Sequence, residues 1–148
     1  RLKILEDGAG MVLDGGRGLI EIADKIGCKK LVDTAATPFG QKACETLRAI
    51  TVAKNKFGLP AGCALHNTLE SWEWMREEKA GDKTAYSHCS TAANALIPFA
   101  TGDFAFYGSI EKMNEVIPPT AFVDRIIAEG SADYFGISPA KNHPHNNL

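Results

Sequence analysis

Lys30-Leu31-Val32-Asp33-Thr34-Ala35-Ala36, broken off by Thr37-Pro38-Phe39-Gly40, is the stretch on which the fold turns. The run is too short for a helix, is partly β-branched and stops at turn-forming residues, so it predicts a buried strand. On its N-terminal side Leu19, Ile20, Ile22, Ala23 and Ile26 keep a 3.6-residue rhythm within residues 11–27, and Gly27 is placed to cap that helix. On its C-terminal side a second helix is expected from about Gln41 to Phe57, with Ala43, Cys44, Leu47, Ile50, Ala53 or Lys54, and Phe57 along one side and Gly58 ending it.

The alternation continues. Ala61-Gly62-Cys63-Ala64-Leu65-His66 predicts a second strand that terminates at Asn67-Thr68. Ser71 is expected to cap a helix from Trp72 to Ala80, because a short hydroxyl side chain satisfies orphan amide donors. Gly81-Asp82-Lys83-Thr84 reads as loop, and a helix is expected over Thr91 to Ala100. Asp103-Phe104-Ala105-Phe106-Tyr107 predicts a third strand, and Pro118-Pro119 the start of a last helix ending near Gly136, ahead of a polar tail. Strands separated by helices pair in parallel through right-handed crossovers, which makes the fold class α/β. Loops at the C-terminal ends of such strands gather on one face, so a site is expected at Asp33 to Thr37, His66 to Thr68 and Tyr107 to Ser109. No linker divides the chain, so residues 1–148 are read as part of a single domain.

Charge narrows the function. Sixteen Lys and Arg against eighteen Asp and Glu give −2 over 148 residues, which excludes a nucleic-acid binder driven by phosphate charge. With 45% hydrophobic and 23% charged residues the chain can build a core. Its apolar runs fall far short of the ~20 residues that span a bilayer, and no signal segment opens it, so a cytoplasmic protein without membrane insertion is expected. Cys28, Cys44, Cys63 and Cys89 lie in apolar stretches without close-paired spacing and are read as free, buried thiols in a reducing compartment.

Asp33 is the most informative residue, since an unpaired buried carboxylate is costly and something must satisfy it. A Lys, Arg or backbone amide partner is one reading; a carboxylate that accepts hydrogen bonds from a ligand's ring nitrogens is the other. Asn67 is either a turn residue or an amide offering donor and acceptor to a heterocycle. The neighbours of His66 decide nothing about its role. Cys63 with His66, and His88-Cys89, raise a zinc site, but in an extended strand Cys63 and His66 point to opposite faces, so no bound metal is expected. Gly15-Gly16-Arg17-Gly18 before a helix suggests anion binding, yet without a preceding strand it reads as turn and cap chemistry. Trp72 and Trp74 cannot share one helical face, so at least one is expected at the surface or an interface.

In order and spacing, several of these motifs resemble the H subunit of tetrahydromethanopterin S-methyltransferase and its bacterial relatives that move methyl groups between corrinoid proteins and tetrahydrofolate. They are Glu6-Asp7-Gly8-Ala9-Gly10, Asp33 with Thr37-Pro38-Phe39-Gly40, Gly62 leading to His66-Asn67, Ser71-Trp72-Glu73-Trp74, Gly102-Asp103-Phe104 with Tyr107-Gly108-Ser109-Ile110-Glu111, Ile127-Ala128-Glu129 and His143-Pro144. Tyr107-Gly108-Ser109 departs from the Tyr-Gly-Pro of the pattern, and Phe39 replaces a smaller aliphatic residue.

The resemblance implies a TIM-type (β/α)8 barrel that binds a reduced tetrahydropterin at its C-terminal mouth. Asp33 would hold the polar edge of the pterin ring, and Asn67 would be catalytic, bonding N5, the atom that gains or loses the methyl group. The implied partner is a corrinoid protein carrying methylcobalamin, and a homodimer is expected. N5 must become positively charged to release a methyl group, and an amide can donate to a bare nitrogen or accept from a protonated one. A whole barrel takes about 250 residues. This chain is therefore expected to be the C-terminal half, about three parallel strands with flanking helices, with the N-terminal strands absent and Arg1 marking a break. The competing expectations are a zinc-dependent thiol methyltransferase barrel and a non-catalytic piece serving assembly with a corrinoid protein.

Overall fold

The computed structural model describes residues 18–143 and 146. Glu6 to Gly10, the first half of the helix expected over 11–27, Gly15 to Arg17 and Pro144 lie outside the described residues. Three parallel strands form one sheet in the order β1 (Val32–Asp33), β2 (Ala61–Cys63), β3 (Phe104–Ala105). The α/β class and the parallel pairing agree with the sequence reading, although each strand is shorter than its apolar run.

β2 is the central strand and is buried along its length. Asp33 registers with Gly62, and Gly62 in turn with Phe104. A Cβ on Gly62 would stand 2.0 Å from the Phe104 carbonyl oxygen, so β3 approaches as closely as it does only because this residue has no side chain. The core lies between the sheet and two helices, α2 (Glu45–Phe57) and α4 (Lys83–Phe99): Ile50 and Ala53 from the first, Ala93 and Ile97 from the second, and Ala61, Cys63 and Leu65 from the β2 segment. At the N-terminal edge of the sheet one residue holds three elements. Asp103 Oδ2 accepts from the Ala61 N–H (2.9 Å) and Oδ1 from Lys54 Nζ (2.8 Å), while its own N–H donates to the Ala61 carbonyl (2.8 Å).

The helix boundaries correct the sequence reading for local reasons. In the described residues α1 spans Leu19–Lys25, and the Gly18 N–H donates to the Glu21 carboxylate. α2 begins at Glu45 rather than Gln41, because Gly40 and Lys42 adopt positive φ and interrupt any helix before it; Gly58, at φ 61°, ends it as expected. Ser71 does not cap the next helix. It closes a 3-10 helix (Leu65–Ser71), and Trp72, extended at φ −93° and ψ 107°, is the cap of α3 (Glu73–Gly81). Nor do residues 81–84 form a loop: Asp82 alone separates α3 from α4, its carboxylate accepting from the Thr84 N–H (2.9 Å), so α4 starts eight residues before Thr91.

A short 3-10 turn (Ile110–Lys112) leads into α5 (Met113–Phe135), which begins ahead of Pro118-Pro119 instead of at them. Proline lacks the N–H that would serve the carbonyl four residues back. The Glu115 carbonyl, left without Pro119 as donor, accepts from Thr91 Oγ1 of α4 (3.3 Å), and the Val116 carbonyl takes the Thr120 hydroxyl (2.8 Å). Packing of α5 on α4 thus carries the prolines inside a continuous helix.

Candidate functional site

The C-terminal ends of the parallel strands lie along one edge, as the topology requires. At the end of β1, Asp33 is exposed, which corrects the expectation of a buried carboxylate. Its Oδ1 accepts from the Ala35 N–H (2.7 Å), the backbone-amide partner among the alternatives. An ionised carboxylate offers about four acceptor sites, so this single bond leaves capacity for a ligand. Thr34 anchors the turn from below: its N–H donates to the Gly62 carbonyl (3.0 Å), and the hydroxyl is buried against the Thr46 carbonyl (3.3 Å).

Asn67 does not end a strand. It lies in the 3-10 helix, four residues beyond β2, with its N–H donating to the Ala64 carbonyl (3.0 Å) and its side chain exposed. A 3-10 helix has three residues per turn, so residues three apart share a face. Leu65, His66, Thr68 and Leu69 are buried, whereas Asn67 and Glu70 are exposed. Asn67 therefore faces outward because both flanking rows are held inward.

This helix is stitched to the loop that carries Asp33. Thr68 Oγ1 donates to the Thr37 carbonyl (3.2 Å), and the Phe39 N–H donates to Ser71 Oγ (2.8 Å), which itself donates to the Thr68 carbonyl (2.6 Å). The Thr37 N–H is bound by Thr46 Oγ1 at the start of α2 (3.0 Å). The expected site residues Asp33 and Asn67 thus stand on two tied segments at one end of the sheet. The third segment joins through Phe106, whose N–H donates to the Cys63 carbonyl (3.1 Å).

His66 and Cys63 sit beneath this surface. His66 is only 9% exposed, and its Nδ1 is buried with no hydrogen-bond partner among the described residues. Burial holds its pKa below the ordinary histidine value of 6.5, against a backbone hydrogen bond to Phe106 and the charge of Glu70, which both favour the protonated form. An unpaired buried acceptor costs about 1–3 kcal/mol, and native proteins keep few of them. The Cys63 thiol is pushed up to about 11, mainly by burial, with a hydrogen bond from Thr34 opposing and the Asp33 charge adding. It is not a nucleophile at neutral pH.

His66 lies in the 3-10 helix and not in a strand, so the opposite-face argument against a Cys63–His66 metal pair rested on the wrong local geometry. What bears on a metal is the donor set: no group of three or more His, Cys, Asp or Glu among the described residues could hold an ion. All four cysteines are free thiols, but only Cys63 is buried as expected: Cys28 and Cys44 are exposed and Cys89 is half-buried. Trp72 and Trp74 are both exposed, and their rings meet at 5.1 Å, because Trp72 is the cap and stands outside the helical repeat. Phe39 meets Trp72 edge-on at 5.9 Å.

One cluster went unseen in the sequence. Glu70 Oε1 accepts from Lys79 Nζ of α3 (2.6 Å) and from the Tyr86 hydroxyl of α4 (2.6 Å), and these bonds, Lys79 first, hold its carboxyl below the usual carboxylate range. Lys79 and Tyr86 are nine and sixteen positions from Glu70, and only the break at Asp82 brings α3 and α4 together over the 3-10 helix. A helix starting at Thr91 would leave Tyr86 outside any element, so no spacing rule pointed to the trio.

Comparison with known proteins matches residues 1–139 to the family described as the tetrahydromethanopterin S-methyltransferase MtrH subunit. The H subunit of a methyltransferase designated mtx, from Methanosarcina barkeri, is 39% identical over 100% of this chain and 47% of its own length. The H subunit of tetrahydromethanopterin S-methyltransferase from Methanothermobacter thermautotrophicus is 38% identical over 97% of this chain and 46% of its own length. The protein of the same name in Methanocaldococcus jannaschii is 38% identical over 89% and 44%. The chain spans about half the length of these relatives. No helix among the described residues is long and apolar enough to cross a membrane.

Proposed function

The chain belongs to the family of tetrahydromethanopterin S-methyltransferase MtrH subunits, and from that premise we propose that the whole protein transfers a methyl group between N5 of a tetrahydropterin and the cobalt of a corrinoid carried on a partner protein. The observation that carries this reading is the pair of exposed polar groups, the Asp33 carboxylate and the Asn67 amide, on tied segments at the C-terminal ends of adjacent parallel strands. Residues 1–148 are then the C-terminal part of a TIM-type barrel, and the remaining strands complete both the sheet and the pocket. The three parallel strands in sequential order support that architecture.

Asp33 accepts from the N–H-bearing edge of the pterin and fixes the ring. Asn67 donates its amide hydrogen to N5 when that nitrogen is bare and turns its carbonyl oxygen to it when it is protonated, so charge is met in both states. The corrinoid supplies the cobalt that gives or takes the methyl group. As the N5–carbon bond breaks, N5 keeps the bonding pair and retains its proton. Either tetrahydrofolate or tetrahydromethanopterin satisfies these ring contacts. We place the protein in the cytoplasm, as a homodimer that meets a separate corrinoid protein. The reading is tested by assaying the full-length protein with methylcobalamin and each tetrahydropterin in turn: transfer to at least one is expected, and reaction with neither contradicts it.

A further inference from the structure

We propose that Phe39, Trp72 and Trp74 form a binding platform for the aryl group that a tetrahydropterin carries beyond its ring. The substrate is then gripped at two places, the pterin ring at Asp33 and Asn67 and the arylamine on these side chains. The proposal rests on the methyltransferase reading for the identity of the ligand. The three rings form one contact: Phe39 meets Trp72 edge-on at 5.9 Å, and Trp72 meets Trp74 at 5.1 Å with the ring planes 41° apart. All three stay open to solvent, Phe39 at 50%, Trp72 at 39% and Trp74 at 48%. Single exposed apolar residues are ordinary, but three touching aromatics on one surface mark a place where something docks.

The platform is preformed. The Trp72 N–H donates to the Leu69 carbonyl (3.0 Å) and the Trp72 carbonyl accepts from the Arg76 N–H (3.1 Å), so this cap residue is fixed on both sides. The Phe39 N–H is held by Ser71 Oγ (2.8 Å), next to Trp72, and Thr68 of the same 3-10 helix is tied to the Thr37 carbonyl (3.2 Å). The bonds that set the Asp33 loop against the Asn67 helix thus also set Phe39 against Trp72, and little ordering is left to oppose binding.

Position selects the occupant. The rings bridge the segments that follow β1 and β2 and do not lie along the outer edge of β1, where a further strand would pair. Trp72 stands five residues beyond Asn67, about 10 Å along a 3-10 helix at its rise of about 2.0 Å per residue. In tetrahydrofolate and tetrahydromethanopterin alike, C6, the ring carbon next to N5, bears an arylamine through a single carbon atom. With the polar edge of the pterin on Asp33 and N5 at Asn67, C6 points away from Asp33, and its substituent is led along the helix toward Trp72. There an electron-rich aryl ring meets aromatic faces and edges by offset or edge-on stacking.

The test measures binding to the full-length protein, native and variant, of tetrahydrofolate, tetrahydromethanopterin and 6-methyltetrahydropterin, which has the same ring and no aryl group. The native protein should bind at least one aryl-bearing pterin about tenfold or more tighter than 6-methyltetrahydropterin. Trp72→Ala and Trp74→Ala should each weaken that aryl-bearing pterin by about fivefold and leave 6-methyltetrahydropterin within about twofold, and Trp74→Phe, which keeps a ring, should recover most of the loss. Equal weakening of both ligand types, or no weakening in either variant, overturns the proposal. Variants that keep full discrimination but slow methyl transfer from a corrinoid protein also overturn it, since the rings would then meet the partner. Should Trp72→Ala not fold, Trp74→Ala, altered at a half-exposed position of α3, decides. A native protein that binds none of the three ligands defeats the tetrahydropterin reading itself, whereas one that binds the bare ring as tightly as the aryl-bearing pterins keeps that reading and removes the platform alone.

Discussion

Asp33 shows how one residue can serve the fold and keep capacity for a ligand. Its bond to the Ala35 N–H fixes the turn in which Ala35 takes φ 53°, and the exposed carboxylate retains further acceptor sites. Asp33→Ala should therefore weaken pterin binding by about tenfold while leaving the transfer step, at saturating pterin, within a few-fold of normal. A pterin titration alongside single-turnover kinetics measures both, and unchanged affinity counts against the assignment. Cys63, which follows the Asp33 register partner Gly62 in β2, behaves differently: its thiol stays protonated through neutral pH. Under native conditions an alkylating reagent at pH 8 should label the exposed Cys28 and Cys44 and spare Cys63, which mass spectrometry of the labelled peptides will read.

Among the elements, β2 bears the tightest constraint. Gly62→Ala places a methyl group 2.0 Å from the Phe104 carbonyl oxygen, so β3 must shift, at a cost of about 1–3 kcal/mol in unfolding free energy by denaturant titration. An unchanged midpoint would show that the strands are not held at this separation. The strands were legible in the sequence because Leu31-Val32 and Ala61 to Leu65 are short apolar runs bounded by turn residues, and Gly58 marked the end of α2 correctly. The helix starts were not. Lys42 at positive φ has no signature in its residue type, and the prolines of α5 look like a start until Thr91 of a distant helix is seen to serve the Glu115 carbonyl. The 3-10 helix was hidden for a related reason: Leu65, His66, Thr68 and Leu69 recur with a period of three, while the sequence reading carried the strand's period of two on to His66. Asn67 was singled out as a strand-end residue, and the 3-10 helix that presents it became visible only in the fold.

At the scale of the whole molecule, Leu31 beside β1 and Phe122, Ile126, Tyr134 and Phe135 of α5 are exposed, a large apolar surface for 148 residues. The chain spans about half the length of its relatives, and in the proposed barrel further strands and helices meet these faces. Residues 1–148 expressed alone should accordingly bind a tetrahydropterin at least about tenfold more weakly than the intact protein; equal affinity would mean that this half forms the pocket by itself. The central claim is that the Asn67 amide acts on the reacting nitrogen. Its most direct test is single-turnover methyl transfer between methylcobalamin and a tetrahydropterin in the full-length protein, native against Asn67→Ala. A fall in rate of about tenfold or more at saturating pterin is the expected result, and a near-normal rate would remove Asn67 from the mechanism and contradict the account.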